Sequence, residues 1–154
     1  MQPKSKTGHY TFAWIKPDVV GTGKDLGPVL EAILAEGFAV VSWRVLWLGT
    51  EHVDQFYAEH LGRSYYPRLR DLMMEGPAVA MILSRPGGDA VAGWRKAIGL
   101  TDPVRARVEQ PGTLRARFGT DVTRNGFHGS ESREAVAEEI ALVFHSPPFK
   151  RAIC

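Results

Sequence analysis

The sequence predicts a single domain of the α/β class. Its 154 residues are a usual length for one domain, and a hydrophobic content of 44% is enough for a proper core. Segments rich in β-branched and aromatic residues alternate with segments of helical periodicity. The predicted strands are Tyr10–Ile15, Phe38–Leu48 and Ala78–Leu83, and the clearest predicted helices are Leu26–Glu36 and Ala90–Ile98. This alternation suits a parallel or an antiparallel sheet, so the residues alone leave the strand pairing open.

Composition and charge exclude several classes of protein. The formal net charge is only +2, which gives no strong electrostatic footprint for nucleic acid or for a membrane surface. No apolar run approaches the roughly 20 residues that a membrane span requires. Cys154 is the single cysteine, so the sequence has no internal disulfide, as expected of a cytoplasmic protein. We expect residues 1–8 to form a short flexible lead and residues 9–154 to form the domain.

The segment around His128 carries the strongest indication of chemistry. Asn125-Gly126 favours a turn with positive φ, and Gly129 leaves room for a ligand to approach the neighbouring residue. Residues 130–132 supply two hydroxyls and a carboxylate where a helix is predicted to begin, and a helix opening suits phosphate. A neutral imidazole, with a reference pKa of about 6.5, is a competent nucleophile near neutral pH.

The helix predicted after this segment supplies a carboxylate that faces the core side. Its apolar stripe has the spacing i, i+4, i+7, i+8 and consists of Val136, Ile140, Val143 and Phe144. Glu139 lies at the border of this stripe, where a carboxylate can orient an imidazole and stabilise its charged form. The spacing is equally compatible with an ordinary strand-end His128 and a solvated Glu139, and both interpretations stay open at this point.

Two other segments have a possible role in binding phosphate. Lys16 ends the first predicted strand, because Pro17 cannot continue the hydrogen-bonding ladder, and a lone lysine there is more often solvated than bound to a ligand. Residues 21–24 resemble a phosphate loop only superficially. The first glycine of that motif is missing, and Asp25 stands where a serine or threonine would bind Mg²⁺. We interpret residues 21–24 as a mobile turn.

The middle of the chain predicts helices and one long loop. A helix that opens at Thr50 is predicted to carry Val53, Phe56, Tyr57 and His60 on one face. A second short helix carries Tyr65, Leu69, Leu72 and Met73, of which Leu72 and Met73 are predicted core residues. Tyr65 and Tyr66 are candidates for stacking on a base. Residues 100–119 lack regular periodicity and predict a long functional loop. Residues 146–149 predict a non-helical tail.

The motif Asn125-x-x-His128-Gly129-Ser130-Glu131-Ser132 closely resembles the active-site signature of nucleoside diphosphate kinases. Further matching segments follow in the same order from Thr11 to about His145, so the resemblance covers nearly the whole chain. It implies a ferredoxin-like α+β fold, in which helices cover a four-stranded antiparallel sheet. It also implies transfer of the γ-phosphate of ATP to nucleoside diphosphates, with Mg²⁺ on the phosphates and a homo-oligomeric enzyme.

The resemblance also assigns roles to individual residues. His128 is implied to carry the phosphate, and the residues implied to assist it are Glu139, Tyr57 and Ser130. The residues implied to bind phosphate are Lys16, Arg95, Thr101 and Arg115, of which Arg115 lies in Pro-Gly-Thr-Leu-Arg. The residues implied to contact the base or ribose are Tyr65, Leu69, Val122 and Asn125. No role is implied for His60, and no direct protein ligand for the metal.

Two departures from the family pattern suggest other hypotheses. Glu131 replaces the usual aspartate and could reach Mg²⁺ through water. The interval from Thr101 to Arg115 is longer than in common hexameric members, which resembles the divergent type-six branch. The alternative hypothesis is therefore a weakly active paralogue that binds nucleotides or proteins as a scaffold. Nucleic-acid binding is not expected as a primary role, although the chain offers a group of arginines in one segment: Arg105, Arg107, Arg115 and Arg117.

Overall fold

The computed structural model describes residues 9–21 and 25–145 and contains one four-stranded sheet within them. Its strands are β1 (Tyr10–Ile15), β2 (Ala39–Leu46), β3 (Ala78–Ser84) and β4 (Phe127–Gly129). The spatial order is β2-β3-β1-β4, and every adjacent pair is antiparallel. This arrangement confirms the ferredoxin-like antiparallel sheet and decides the pairing that the residues alone left open.

Helices connect and cover these strands. Within the described residues the α-helices are α1 (Pro17–Val20), α2 (Gly27–Ala35), α3 (Thr50–Phe56), α4 (Tyr66–Met73), α5 (Ala90–Ile98), α6 (Pro103–Glu109), α7 (Leu114–Phe118) and α8 (Arg133–Ile140). A 3₁₀ turn at Ala58–His60 follows α3, and a π-helical turn at Ala141–His145 continues α8. None of the described helices is long and apolar enough to cross a membrane.

The core consists of two apolar layers, one on each face of the sheet. Successive side chains of a strand point to opposite faces, so Phe12 and Trp14 enter one layer and Ala13 and Ile15 the other. Helices α2 and α5 contribute to the layer that contains Ala13, whereas α3 and α4 contribute to the layer that contains Phe12. Because both faces are covered, β1 is buried along almost its whole length and forms a rigid central support.

The pairing of β1 with β4 brings the two chemically important segments together. Trp14 lies opposite His128 in the register, so both side chains point to the same face of the sheet. Lys16 follows β1 directly, and its backbone N–H donates to the carbonyl of Gly126 at 2.8 Å. Gly126 has a φ of 82°, which confirms the predicted turn, since an L side chain rarely adopts this conformation.

The segment predicted as one long irregular loop is largely helical. It contains α6 and α7, so the prediction for residues 100–119 was wrong. The carboxylate of Asp102 accepts the backbone N–H of Val104, and Pro103 occupies the first helical turn, where its missing N–H costs nothing. Helices of seven and five residues are too short to display a reliable apolar period, which is why sequence periodicity missed them.

The helix predicted from Thr50 to His60 is broken. Helix α3 ends at Phe56, and the chain tightens into the 3₁₀ turn, so His60 does not share a helical face with Val53. Tyr66 is also misplaced by the prediction, because it is 3% exposed and its hydroxyl donates to Asp54 at 2.5 Å. Leu72 and Met73 are core residues as predicted. The predictions for residues 1–8, 22–24 and 146–149 lie outside the described part of the chain.

Gly129 is required by packing and not only by access for a ligand. A Cβ atom at this position would lie 2.6 Å from Cδ1 of Trp94, far inside any normal contact. The Trp94 indole N–H donates to the backbone carbonyl of His128 at 3.0 Å, so the ring cannot retreat without losing this bond. Gly129 also lines a cavity beside His128, so a side chain here is excluded by the indole while ligand access to the neighbouring residue stays a prediction.

We expect Gly129→Ala to lower the free energy of unfolding by about 1–3 kcal/mol, because the extra methyl group overpacks the contact with Trp94. Urea denaturation followed by circular dichroism measures the change. Gly112→Ala is the matched control, since a Cβ there meets nothing within 4 Å, and its effect should stay within about 0.5 kcal/mol. Equal stabilities of the two variants would contradict the packing explanation.

Candidate active site

A cavity of about 750 Å³ opens where β1 ends and the antiparallel β4 begins. It gathers side chains that are far apart in the sequence, from Lys16 to Glu131. Every residue that the resemblance implied for nucleotide binding lines this cavity, namely Lys16, Tyr65, Leu69, Arg95, Thr101, Arg115, Val122 and Asn125. Tyr57, His128 and Glu131 line it as well, whereas Ser130 and Glu139 lie behind its surface.

Lys16 is buried and tied to the loop that precedes β4. Its ammonium donates to Asn125 Oδ1 at 2.8 Å and to the carbonyl of Thr123 at 2.9 Å, and the residue is only 4% exposed. Burial lowers the pKa of Lys16 from 10.5 to about 8, although the nearby Asp18 carboxylate opposes this shift. The two neutral acceptors fix the position of the charge without neutralising it, so the ammonium remains available to an anion.

The side-chain amide of Asn125 makes hydrogen bonds to the segments around Lys16. While Oδ1 accepts from Lys16, Nδ2 donates to the carbonyls of Thr101 and Val122, both at 3.1 Å. The residue is 5% exposed. Its three hydrogen bonds join the end of β1 to two separate loops. Its implied contact with ribose stays a prediction, for which the second lone pair of Oδ1 is the remaining capacity.

Arg115 presents a second, partly buried cation to the cavity. Its two terminal nitrogens donate to the carbonyls of Gly99 and Phe127, each at 2.9 Å, which holds the guanidinium plane in place. Its Nε is buried and has no acceptor among the described residues. Burial, and then the proximity of Arg95, lower the pKa of Arg115 to about 10. The positive charges of Arg95 and Arg115 oppose each other, and a polyanionic ligand would relieve this repulsion.

His128 lines the cavity and forms a close pair with Glu139, which is not among the lining residues. Nε2 of His128 lies 3.1 Å from both carboxylate oxygens of Glu139. A carboxylate only accepts, so Nε2 carries the proton, and in the neutral imidazole the lone pair therefore belongs to Nδ1. The side chains are 22% and 13% exposed, respectively, which keeps the pair partly shielded from solvent. The interpretation of Glu139 as a mere solvated charge was wrong.

Aromatic rings hold the imidazole of His128 from the core side. The ring centroids of Phe56, Tyr57 and Phe12 lie 5.2, 6.0 and 6.2 Å from that of His128. Tyr57 is 7% exposed, its hydroxyl lies 3.9 Å from the sulfur of Met73, and burial raises its pKa, with a smaller contribution from Glu139. Tyr57 thus stays a neutral phenol beside the imidazole.

Ser130 occupies a more structural position than the resemblance implied. It is completely buried, and its hydroxyl donates to the backbone carbonyl of Phe12 at 3.4 Å. Its implied donation to Glu139 or to phosphate stays a prediction. The neighbouring Ser132 caps α8 by accepting the N–H of Ala135 at 3.1 Å, which confirms the helix start predicted there.

The exposed side of the cavity is apolar, and we call Tyr65, Leu69 and Val122 the apolar rim. Tyr65 is 46% exposed and Val122 is 59% exposed, so both side chains are accessible to a ligand in the cavity. Since stacking on a ring tolerates any base, this rim suits a nucleobase of unspecified identity. Sequence reasoning left His60 without a role, yet it lines the cavity beside Tyr65.

Other lining residues were missed by the sequence. Lys96 adds a cation next to Arg95 on α5, and its position beside that arginine was the available signal. Gln110 carries no such signal, because it follows α6 in a segment predicted to be irregular. Its side-chain oxygen accepts the N–H of Leu100 at 3.1 Å and closes the loop over the cavity.

The arginines considered for nucleic acid do not act as one surface. Arg105 pairs with Glu109 at 2.9 Å on α6, and the guanidinium of Arg117 lies over the ring of Phe118. Arg107 donates to the carbonyls of Ala116 and Gly119 and so joins α6 to α7. Only Arg115 of this group lines the cavity.

The cavity suits a metal that is held mainly by phosphates. Within residues 9–21 and 25–145, no group of three or more acidic, histidine or cysteine side chains is arranged to hold a metal. Glu131 is the only carboxylate among the lining residues. Mg²⁺ commonly keeps several waters and takes one or two carboxylates plus substrate phosphates, so this donor set fits it.

Comparisons with known proteins agree with this geometry. The sequence model of the family described as "Nucleoside diphosphate kinase" matches residues 9–149. A nucleoside diphosphate kinase of Desulfovibrio desulfuricans is 41% identical over 135 residues, which are 88% of this chain and 93% of that protein. A crystal structure of the Aquifex aeolicus nucleoside diphosphate kinase superposes with a TM-score of 0.80 at 35% identity, over 87% of this chain and 93% of that one.

The chain therefore belongs to the nucleoside diphosphate kinase family. It is also similar to more divergent members. "Nucleoside diphosphate kinase homolog 5" of Danio rerio is 40% identical over 134 residues, which are 87% of this chain but 59% of that protein. The chain thus spans well under two thirds of that longer relative.

Lys16 generates a prediction about stability. Its pKa is about 8 in the folded protein and 10.5 in an exposed lysine, so between these values the unfolded chain binds more protons than the folded one. The free energy of unfolding of the wild type should therefore rise with pH across this window. Measured as the difference from Lys16→Met, the rise should be on the order of 3 kcal/mol. Denaturant titrations at pH values inside and below the window measure this difference.

The control is Lys96→Met, which removes an exposed lysine from α5. Its stability difference from the wild type should not change with pH. A Lys16→Met difference that is equally flat would show that the ammonium is not desolvated as the structure indicates.

Proposed function

We propose that this protein is a nucleoside diphosphate kinase that transfers the γ-phosphate of ATP to nucleoside diphosphates through His128. The observation that carries the proposal is the His128–Glu139 pair, in which the carboxylate of Glu139 binds Nε2 of His128 at 3.1 Å and leaves Nδ1 free of this contact. His128 also lines a cavity that contains Lys16 and Arg115. A nucleophile with a defined lone pair is thus combined with cations suited to polyphosphate.

The reaction consists of two half-reactions in one site. Nδ1 of His128 attacks the γ-phosphorus of ATP, and the bond between this phosphorus and the bridging oxygen breaks, so that ADP leaves with the bonding electrons. A nucleoside diphosphate then binds in the same cavity, and its terminal phosphate oxygen attacks the phosphohistidine. The phosphorus–nitrogen bond breaks, and the free imidazole is restored.

The charged residues assist by positioning and by neutralising charge, which dominate catalysis of phosphoryl transfer. Lys16, Arg95 and Arg115 bind phosphate oxygens, and the hydroxyl of Thr101 adds one hydrogen bond. Glu139 fixes the imidazole tautomer and stabilises the positive charge that develops on the ring. The hydroxyl of Tyr57 donates a hydrogen bond to a phosphate oxygen, and buried Ser130 supports the backbone behind the nucleophile.

The lining of the cavity supports the proposed contacts with base and ribose. Tyr65, Leu69 and Val122 hold the base by apolar contact, and Asn125 contacts the sugar. Contacts of this kind suit a site that must accept both the donor and the acceptor nucleotide. When bound, Mg²⁺ would neutralise phosphate charge, with Glu131 positioned to meet its waters.

Replacement of the nucleophile tests the proposal. We expect His128→Ala to lower the conversion of GDP by ATP by at least about 1000-fold while the circular dichroism spectrum stays unchanged. The wild type incubated with γ-³²P-labelled ATP should retain acid-labile label, and the variant should retain none.

The matched control is His145→Ala, which removes an exposed histidine of the π-helical turn that does not line the cavity and should label as well as the wild type. Label on His128→Ala would refute the assignment of the nucleophile. Wild-type turnover no faster than that of His128→Ala would instead favour the weakly active scaffold, a role consistent with the similarity to a divergent homolog.

We also propose that the protein forms a homo-oligomer through β2. This strand lies at an edge of the sheet, and its Trp43 is 63% exposed. Leu34 of helix α2, which precedes β2 in the sequence, is 57% exposed. A free strand edge with exposed apolar side chains is a natural pairing surface, and a second copy of this chain offers an identical one.

We expect Trp43→Arg to reduce the mass measured by analytical ultracentrifugation, because the buried charge opposes pairing of the two edges. Leu61→Arg changes a comparably exposed side chain, at 51%, away from this edge and should leave the mass unchanged. A wild-type monomer, or an unchanged mass for Trp43→Arg, would exclude this interface.

A further inference from the structure

His60 contacts the exposed ring of the apolar rim. Its Nδ1 lies 2.5 Å from the hydroxyl of Tyr65, and the ring centroids are 5.7 Å apart in an edge-to-face arrangement. In a neutral imidazole the hydroxyl donates to Nδ1, and in an imidazolium the ring donates to the hydroxyl. The pair is therefore held together in either protonation state.

The same histidine also contacts the buried part of the site. Its ring centroid lies 5.8 Å from that of Tyr57, again edge to face. Tyr57 is 7% exposed and packs in turn against His128. His60 thus connects a side chain fixed in the core to one that is 46% exposed, and the 3₁₀ turn is what brings it between them.

Tyr65 needs such support because of its position. It precedes α4 as the N-cap residue, so no preceding helical turn restricts its side chain. An exposed ring that is free to rotate must be ordered when a ligand binds, and this loss of freedom weakens binding. A hydrogen bond to a neighbour that is itself packed removes part of this cost in advance.

We propose that His60 is a positioning residue for the base, which holds the ring of Tyr65 ready for stacking through the bond to its hydroxyl. The inference rests on the proposed function for its choice of ligand, a nucleoside diphosphate. It predicts that His60 strengthens the binding of the base and leaves the binding of the phosphates unchanged. A ligand without a base, such as inorganic pyrophosphate, separates these two contributions.

The experiment measures the dissociation constants of GDP and of pyrophosphate by calorimetry, for the wild type and its variants. His60→Leu should weaken GDP about three- to tenfold, the factor that one hydrogen bond commonly contributes, and leave pyrophosphate unchanged. Tyr65→Phe, which keeps the ring and removes the hydroxyl, should have the same effect. The double variant should be no weaker than either single variant, because both remove one shared bond.

Kinetics provides the second readout. In the transfer of phosphate from ATP to GDP, His60→Leu should raise KM for GDP by a similar factor and change kcat by less than about twofold. His60→Gln, which can still meet the hydroxyl, should restore part of the affinity. Glu59→Leu is the control, since it places leucine at an exposed neighbour in the same 3₁₀ turn that does not line the cavity.

Several outcomes would overturn the proposal: an unchanged affinity of His60→Leu for GDP, an equal loss for pyrophosphate, or effects of the two single variants that add. The binding measurements need no turnover. A wild type that binds GDP but does not transfer phosphate would refute the proposed function alone, whereas the comparison of GDP with pyrophosphate would still decide the role of His60.

Discussion

The arrangement of the cavity depends on the burial of one ammonium group. Lys16 sits at the end of a central strand, and its bonds to Asn125 and to the Thr123 carbonyl draw the loop before β4 against that strand. Asn125 in turn donates to the carbonyls of Thr101 and Val122 and so holds these residues in place. Segments about a hundred residues apart are thereby held in register around a charge that the protein shields from water but does not neutralise.

The backbone of His128 is fixed independently of its ring. The carbonyl is bound by the Trp94 indole from one layer of the core, whereas the imidazole is packed by Phe56 and Tyr57 from the other layer and paired with Glu139. A short edge strand of three residues would otherwise be a weak support for a reactive group. The two layers of the domain together supply the rigidity that the strand lacks.

The sequence predicted those parts of the molecule where local chemistry and tertiary structure agree. The strand Tyr10–Ile15, the turn at Gly126 and the border position of Glu139 follow from β-rich composition, from glycine and from helical periodicity, and all agree with the structure. The family motif then supplied what no local pattern contains, namely the antiparallel pairing and the convergence of distant side chains on one cavity.

What the sequence did not reveal lies mostly where chain geometry departs from simple periods. Helices α6 and α7 are too short to show an apolar stripe, and the change from α3 to a 3₁₀ turn moved His60 out of its predicted face. Tyr65 and Tyr66 are neighbours of one type, yet one is exposed at the rim and the other is buried on Asp54. The two side chains differ because Tyr65 precedes helix α4 and Tyr66 is its first residue, so they point in different directions.

The electrostatic repulsion between Arg95 and Arg115 has a consequence for the stability of the ligand-free protein. An anion that binds both guanidinium groups would remove their mutual repulsion and thereby stabilise the folded state. Simple polyvalent anions of the medium should therefore act as temporary occupants that protect the domain against heat.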